Sequence, residues 1–346
     1  MKIKFLKNLF SISLSIVVTF LITSFIIILV DKNPFEIFSI MFSDVLGSRY
    51  GLGQTLFKAT PLIITGIGVA ICFHASLFNI GAEGQLNIGS FVIAFVALKL
   101  SGLSAFIVIP VSLISGFVIS GLLGYFTALI KIKKGVSEVI TTIMMNFIVL
   151  ALINYLLTNF LAVKATVRTG KIDEAYMVPG FAQFSDYFKG SSVNVTFIFA
   201  IVIAIFAYYI IYKTRWGYQL RSVGYNEEAS KYIGLKNNKI ILIAFFVGAG
   251  MNALVGLNFV MGYKGYYELG FSNNIGFTAI AVALLARNNP IGIIFSAILF
   301  GILDYGGLSV NSMIPKEIML VVQAVVILSI ISIDKISDII FDKVKI

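Results

Sequence analysis

The polar residues best placed to act on a solute lie between residues 77 and 85, in the sequence Leu-Phe-Asn-Ile-Gly-Ala-Glu-Gly-Gln. Asn79, Glu83 and Gln85 supply hydrogen-bonding groups, and the glycines of this stretch are expected to interrupt a helix and free backbone groups. In a membrane, irregular backbone is tolerated only where protein buries it or water lines it, and an ionisable residue there indicates function. The stretch therefore predicts part of a path for a polar solute. The alternative is a short cytoplasmic turn in which Glu83 is solvated.

A second stretch, residues 226–234, contains the residue types that begin and end a short helix. Asn226 suits the N-cap, Glu227 and Glu228 the first turn, Lys231 the last turn and Gly234 the C-terminal stop. A helix of two turns is marginal in water by itself, so another surface is expected to pack on it.

The apolar face of this short helix would consist of Ala229, Tyr232 and Ile233, which follow the i, i+3, i+4 spacing. Two partners are possible for such a face. It packs either on its own chain, as an ordinary loop helix does, or on another protein.

Other kinds of site find little support. One cysteine, Cys72, and one histidine, His74, form neither a metal site nor a catalytic triad, so no metal ligand and no catalytic residue is predicted. Glu138, Glu268 and Asp304 fall at predicted helix ends, where solvation accounts for them.

The composition indicates how these residues are positioned. Of 346 residues, 59% are hydrophobic and 12% are charged, and uncharged runs of about twenty residues recur along the chain. This predicts an all-α polytopic membrane protein and excludes a β-barrel, whose strands would alternate in short segments. The net charge of +10 is attributed to basic residues on the cytoplasmic face, so no nucleic-acid partner is expected.

About ten transmembrane helices are predicted in one membrane domain, 1–346, with both termini in the cytoplasm. The basic clusters Lys131–Lys134 and Lys213–Lys239 then both lie inside. A cytoplasmic loop is expected at 213–239 and an extracytoplasmic loop at 162–193. The predicted spans are roughly 9–30, 56–74, 86–100, 105–130, 138–162, 194–213, 240–262, 275–287, 290–305 and 317–333.

An internal repeat relates the two halves. Residues 87–94, which begin Asn-Ile-Gly, resemble residues 274–281, and a Gly-x-Gly pair precedes each copy at 66–68 and 248–250. Five predicted spans separate the copies, so they would be inverted in the membrane with Gly-broken helices near its midplane, as in many transporters. Chance similarity between helices rich in small residues is the alternative.

Residues 77–85 and 221–235 together resemble the permease subunits of bacterial ABC importers. The branch is that of nucleosides, simple sugars and branched-chain amino acids, and the first stretch is most similar to nucleoside permeases. Residues 141–147 and 276–290 are also similar to that branch, and the likeness runs from about 50 to 335.

The resemblance implies a subunit of the bacterial cytoplasmic membrane that imports nucleosides and is not itself an enzyme. Its expected partners are a second permease chain, identical or homologous, a cytoplasmic ABC ATPase, an extracytoplasmic binding lipoprotein and membrane lipid. The chain would bind no cofactor, because the partner ATPases use the ATP and magnesium; it has no GxxxxGK[ST] sequence of its own.

The resemblance also assigns roles to residues. Aromatic rings and amides would serve the base and the hydroxyls of a nucleoside, and the short helix would dock into an ATPase groove. The implied substrate path comprises Phe78, Asn79, Glu83, Gln85, Asn146, Asn252, Phe271 and Phe277. The implied coupling residues are Glu227, Glu228, Ala229, Lys231, Tyr232, Ile233 and Gly234.

Rival functions remain open at this stage. A permease for simple sugars or branched-chain amino acids would carry much the same sequence features, and an autonomous secondary transporter would also contain inverted repeats. An autonomous carrier, however, has no need of a docking helix. An intramembrane enzyme would need paired catalytic groups at membrane depth, and none is recognisable in the sequence.

Overall fold

The structure is a computed structural model that describes residue 14 and residues 17–343. The beginning of the first predicted helix, at residue 9, lies outside the described residues. The basic side chains assigned to the two cytoplasmic termini, Lys2, Lys4, Lys7, Lys335, Lys343 and Lys345, also lie outside this description.

Helices dominate the described residues, and the β-structure among them is limited to isolated bridges. Their bounds are α1 Val17–Ile28, α2 Pro34–Leu46, α3 Arg49–Phe73, α4 Ala82–Lys99, α5 Ala105–Lys134, α6 Glu138–Leu156, α7 Thr196–Lys213, α8 Arg215–Tyr225, α9 Glu227–Tyr232, α10 Asn237–Ala253, α11 Ile275–Leu285, α12 Pro290–Ser309 and α13 Lys316–Lys343. The prediction of a helical, polytopic membrane fold is confirmed.

Six of the described helical segments are long and apolar enough to cross a membrane: α3, α5, α6 and α10 with their π-helical extensions, α7 and α12. The apolar helices α1 and α11 and the segment Glu317–Ser329 of α13 are shorter. The count of ten crossing helices therefore stays a prediction.

The sequence analysis missed α2. Asn33 caps this helix by accepting a hydrogen bond from the Phe35 amide at 3.0 Å, and Pro34 occupies its first turn. Its 13 residues rise only about 20 Å, too short for a span of hydrocarbon. A search for membrane-length apolar runs passes over such a helix.

Two predicted helices end in π-helical segments. Leu157–Leu161 extends α6, and Leu257–Lys264 follows α10, whose regular part stops at Ala253. The second segment ends at Lys264, and the next residue, Gly265, has a φ of +73°, a conformation that favours glycine. It turns the chain toward the polar residues that precede α11.

The described chain divides into two compact units. One comprises the described parts of Met1–Thr55 and Leu299–Ile346, with a core that includes Ile27, Ile37 and Val310. The other, Leu56–Ile298, contains every residue of the two stretches singled out above. The single domain over 1–346 stays a prediction.

In the larger unit α4 is enclosed by other helices, and close packing depends on small residues. A methyl group on Gly89 would lie 2.2 Å from the Cβ of Ala253, and one on Gly124 would lie 2.4 Å from the Phe245 carbonyl oxygen. Helix backbones at such distances leave no room for a side chain. This packing buries the polar first turns of α4 inside the protein.

Candidate functional site

The stretch 77–85 joins α3 to α4, and the helix is interrupted before Ala82 rather than throughout the stretch. Gly81 occupies the N-cap position, whereas Gly84 lies inside α4. A methyl group on Gly84 would lie 2.9 Å from the Cα of Asn146, so this glycine permits the close approach of α6. The expectation that the glycines of this stretch break the helix is wrong for Gly84.

Three amide side chains connect this junction to α10. Asn79 and Gln85 bond to each other twice, Asn79 Nδ2 to Gln85 Oε1 at 2.8 Å and Gln85 Nε2 to Asn79 Oδ1 at 3.1 Å. Asn252 donates to the same Gln85 Oε1 at 2.9 Å. All three side chains are buried, so these hydrogen bonds fix the connection between α3 and α4 to both α4 and α10.

A fourth amide ties α6 to the same place. Asn146 accepts a hydrogen bond from the Gly84 amide at 2.8 Å and donates to the Ile80 carbonyl at 3.0 Å. Ser120, which the sequence analysis did not single out, donates to the Gln85 and Ala249 carbonyls at 2.9 and 2.7 Å. The four predicted amides are therefore brought together, mostly as bonds within the protein.

Glu83 points to a different neighbour. Its side chain is 6% exposed and accepts hydrogen bonds from the Gly276 amide at 2.7 Å and from the Ser272 hydroxyl. Asn87 Nδ2 donates to the Glu83 carbonyl at 2.8 Å. Glu83 is thus buried against the start of α11, which contradicts the alternative of a solvated turn.

Hydrogen bonds continue from Glu83 to the loop 162–193. Tyr267 donates its hydroxyl to Asn87 Oδ1 at 3.0 Å, and its backbone exchanges bonds with Thr169, whose amide reaches the Tyr267 carbonyl at 2.9 Å. Burial raises the pKa of Tyr267 well above its usual range, and the nearby Glu83 charge acts in the same direction. The phenol therefore remains a hydrogen-bond donor at neutral pH.

The three predicted aromatic residues are not gathered around the amides. Phe78 packs against Phe73 with ring centroids 4.9 Å apart, and Phe271 packs against Tyr267 at 5.3 Å. Phe277 is exposed on α11. Their role in a substrate path stays a prediction.

Sequence reasoning missed Glu138, which it assigned to solvent. This carboxylate is buried, pairs with Lys131 at 2.6 Å and accepts a bond from the Phe78 amide at 3.4 Å. The missed Ser272 lies in the polar, glycine-containing stretch before α11, which was a usable signal. Nothing in the local sequence of Glu138 indicates its burial.

The short helix α9 forms as the sequence predicts. Asn226 Oδ1 accepts from the Ala229 amide at 2.9 Å, Glu227 and Lys231 pair at 2.9 Å, and Gly234 has a φ of +82°. The helix is held from one side only, where Ser230 donates to Asn237 at 2.9 Å.

The predicted apolar face of α9 points away from the rest of its unit. Tyr232 is 91% exposed, and Ala229 and Ile233 are also exposed, as are the predicted coupling residues Glu227, Glu228, Lys231 and Gly234. Among the residues that the structure describes, none packs over this face. Its docking to an ATPase stays a prediction.

Helix α8 connects α9 to the end of α3 and to the start of the 77–85 stretch. A methyl group on Gly224 would lie 2.2 Å from the His74 carbonyl oxygen, and Ser76 donates to the Gly224 carbonyl at 2.6 Å. His74 Nε2 lies 3.0 Å from the Asn288 carbonyl. Burial lowers the pKa of His74, the nearby Arg221 charge lowers it further, and the bond to Asn288 opposes them.

Among the described residues, no three side chains of histidine, cysteine, aspartate or glutamate are grouped so that they could hold a metal ion. The candidate site is instead a set of buried amides and two buried carboxylates, Glu83 and Glu138, at the junction of α3, α4, α6, α10 and α11. Such groups set the shape of a helix junction.

Residues 51–331 match the family described as the branched-chain amino acid transport system permease component. The chain belongs to this permease family. The match includes the α3–α4 junction, the start of α11 and α9, so the site lies within the part that defines the family.

Three relatives illustrate the similarity. The guanosine ABC transporter permease protein NupP of Bacillus subtilis is 35% identical and covers 85% of either chain. The nucleoside ABC transporter permease protein NupB of Lactococcus lactis is 32% identical over 91% of this permease and 88% of the relative. The glucose ABC transporter permease protein TsgB13 of Haloferax volcanii is 29% identical over 88% and 82%. No solved structure matches the permease.

Proposed function

We propose that the chain is the permease subunit of an ATP-driven importer that moves nucleosides across the bacterial cytoplasmic membrane. The observation that carries the proposal is the similarity to permeases named for guanosine and nucleosides, which extends over 85–91% of this chain. A glucose permease at 29% identity makes a simple-sugar importer the second candidate.

Energy would come from partner ATPases that dock on α9. Its exposed apolar face, its Asn226 cap and its attachment through α8 to the end of α3 support this role. A movement of α9 would be transmitted through α8 to Ser76, which directly precedes the 77–85 stretch. The partner ATPases would bind the ATP and magnesium, and this chain would bind neither.

The complete importer would contain a second permease chain and an extracytoplasmic binding lipoprotein. We place both termini and α9 in the cytoplasm and the loop 162–193 outside. The basic residues of 213–239 support this orientation because basic loops remain on the cytoplasmic side. Impermeant thiol reagents added outside should therefore label Asp173→Cys but not Asn238→Cys. The native Cys72 is buried and should not react.

The two halves would be inverted repeats around the site. The glycine pairs that precede the repeats pack on each other: a methyl group on Gly68 would lie 2.5 Å from the Gly248 carbonyl oxygen, and one on Gly248 would lie 2.6 Å from that of Gly68. Reciprocal contacts of this kind support a pseudo-twofold relation between α3 and α10. The interrupted backbone before α4 and α11 would then move during transport.

The function is tested by uptake of radiolabelled guanosine, glucose or leucine into cells that express the chain with an ABC ATPase and a binding lipoprotein. Guanosine accumulation above cells that lack the permease is the expected result. Accumulation of glucose or leucine without guanosine would overturn the nucleoside assignment. Guanosine uptake that persists without the ATPase would indicate an autonomous carrier.

A further inference from the structure

Residues 181–188 of the loop 162–193, here called the aromatic segment, differ from the rest of that loop. They form two short 3-10 turns, Phe181–Gln183 and Asp186–Phe188. The Phe181 and Phe188 rings lie 5.5 Å apart, and Tyr187 packs on Phe188 at 5.1 Å. Phe184 is nevertheless 70% exposed, so the segment clusters its rings and still presents an aromatic surface.

This surface continues onto α7. Phe181, Phe184 and Phe188 line an apolar cleft of about 400 Å³ together with Val195 and Ile198. Ile198 belongs to the first turn of α7 and is exposed. The aromatic segment and the first turn of α7 therefore form one apolar surface.

The length of α7 fixes the depth of that surface. Its 18 residues rise about 27 Å, close to the hydrocarbon thickness of about 30 Å, so its first turn lies at the membrane boundary. Only 28% of α7 is buried, as expected for a helix that faces lipid. Residues that share a cleft with Ile198 lie at the same depth.

Exposed aromatic side chains mark the same level on neighbouring helices. Phe106 is exposed at the start of α5, Tyr155 is exposed at the end of α6, and Phe160 is exposed in the π-helical extension of α6. Both helix ends lie beside the loop 162–193: the extension of α6 ends at Leu161, and the loop residue Tyr176 donates its hydroxyl to the carbonyl of Leu103, just before α5, at 2.9 Å. Aromatic residues collect at this level because their rings suit the boundary between headgroups and acyl chains.

The first half of the same loop has the opposite character. Its cleft is lined by polar and basic residues, among them Arg168, Lys171 and Lys264, and Arg168 lies 4.5 Å from the Tyr266 ring centroid. A polar and basic surface of this kind is expected to face water. The loop therefore has a water-facing first half and an aromatic second half.

We propose that the aromatic segment is a membrane-interface anchor, with phospholipid of the leaflet at the N-terminal end of α7 occupying the cleft between Phe184 and Ile198. The rings enter the boundary between headgroups and acyl chains, and the exposed Asp186 and Lys189 remain among the headgroups. The anchor fixes where the loop leaves the membrane.

The test places a fluorescent residue at the proposed contact. Trp216 is the only tryptophan, so Phe184→Trp in a Trp216→Phe background reports one position. The full chain is reconstituted in phosphatidylcholine vesicles with or without bromine on the upper acyl chain, and acrylamide is added from the water. Val167→Trp in the same background is the control, because Val167 is equally part of the loop but lines its polar cleft.

Tryptophan at 184 should lose emission in brominated lipid and resist acrylamide, whereas tryptophan at 167 should do the reverse. Position 184 quenched by acrylamide alone would overturn the proposal, since the segment would lie in water. Resistance to both quenchers would also overturn it, because a protein surface such as a second copy would then cover the cleft. If the Trp216→Phe background does not fold, Phe184→Cys carrying an environment-sensitive dye gives the same readout, with Cys72 buried and unlabelled.

Discussion

Glu83 and Gly276 hold the start of α4 against the start of α11. The Gly276 amide donates to Glu83 Oε2 at 2.7 Å, and a methyl group on Gly276 would lie 2.3 Å from the Glu83 backbone nitrogen. The two helices are therefore connected by a side-chain hydrogen bond at a point where their backbones are also in contact. This contact connects the two helices that contain the proposed repeats.

Removing the carboxylate should disable the junction. Glu83→Ala leaves the Gly276 amide and the Ser272 hydroxyl buried without their acceptor. Each unsatisfied donor lowers the free energy of unfolding by about 1–3 kcal/mol. Uptake per copy in the membrane should fall several-fold, whereas Glu83→Gln, which keeps a carbonyl acceptor, should fall less. Uptake is normalised to immunoblot abundance, with the exposed Glu36→Ala as control. Equal uptake in all variants would show that the carboxylate is dispensable.

Adding one methyl group at Gly276 should weaken the contact between α4 and α11. Gly276→Ala forces its Cβ against the Glu83 backbone, which cannot shift as a flexible side chain would. We expect a lower thermal unfolding temperature in detergent and weaker uptake. Gly170→Ala is the matched control, because its nearest heavy atom would be 3.8 Å away. Indistinguishable unfolding of the two variants would contradict the close approach of α4 and α11.

The single histidine should make the protein sensitive to acid. Burial lowers the pKa of His74 below its ordinary value of about 6.5, so the unfolded chain binds a proton that the folded chain resists. Stability should therefore fall as the pH drops through about 6.5. Unfolding temperatures at about pH 7.5 and pH 5.5 measure this, and His74→Gln should lose less than the native chain. The same loss in both proteins would exclude His74 as the cause.

Local signals predicted much of this structure. The apolar runs indicated the long helices, and the cap at Asn226 and the stop at Gly234 predicted α9, because the groups involved are near neighbours in sequence. The partners of Glu83 come from residues almost two hundred positions away, and no local pattern specifies such a pairing. Glu138 was wrongly assigned to solvent because its burial depends on packing against the 77–85 stretch, where the Phe78 amide donates to it.

The face of α9 gives a direct test of the ATPase partner. Ala229 is exposed on this face, so Ala229→Trp should obstruct a docking groove while leaving membrane insertion intact, since insertion depends on the apolar runs. Co-purification of the ATPase and uptake at matched expression should both decrease. Ala175→Trp, at an exposed alanine of the other hydrophilic loop, should leave co-purification unchanged. Normal ATPase recovery with Ala229→Trp would exclude α9 as the docking element.

We expect this permease to pass nucleosides only when partner subunits hydrolyse ATP. The most direct measurement reconstitutes the permease with its second permease chain and ATPase in proteoliposomes containing ATP and magnesium, and adds the binding protein with radiolabelled guanosine outside. Guanosine should accumulate, its accumulation should stop when a non-hydrolysable ATP analogue replaces ATP, and excess unlabelled glucose should not reduce it. Accumulation without hydrolysis would exclude ATP-driven import, and accumulation abolished by glucose would exclude specificity for nucleosides.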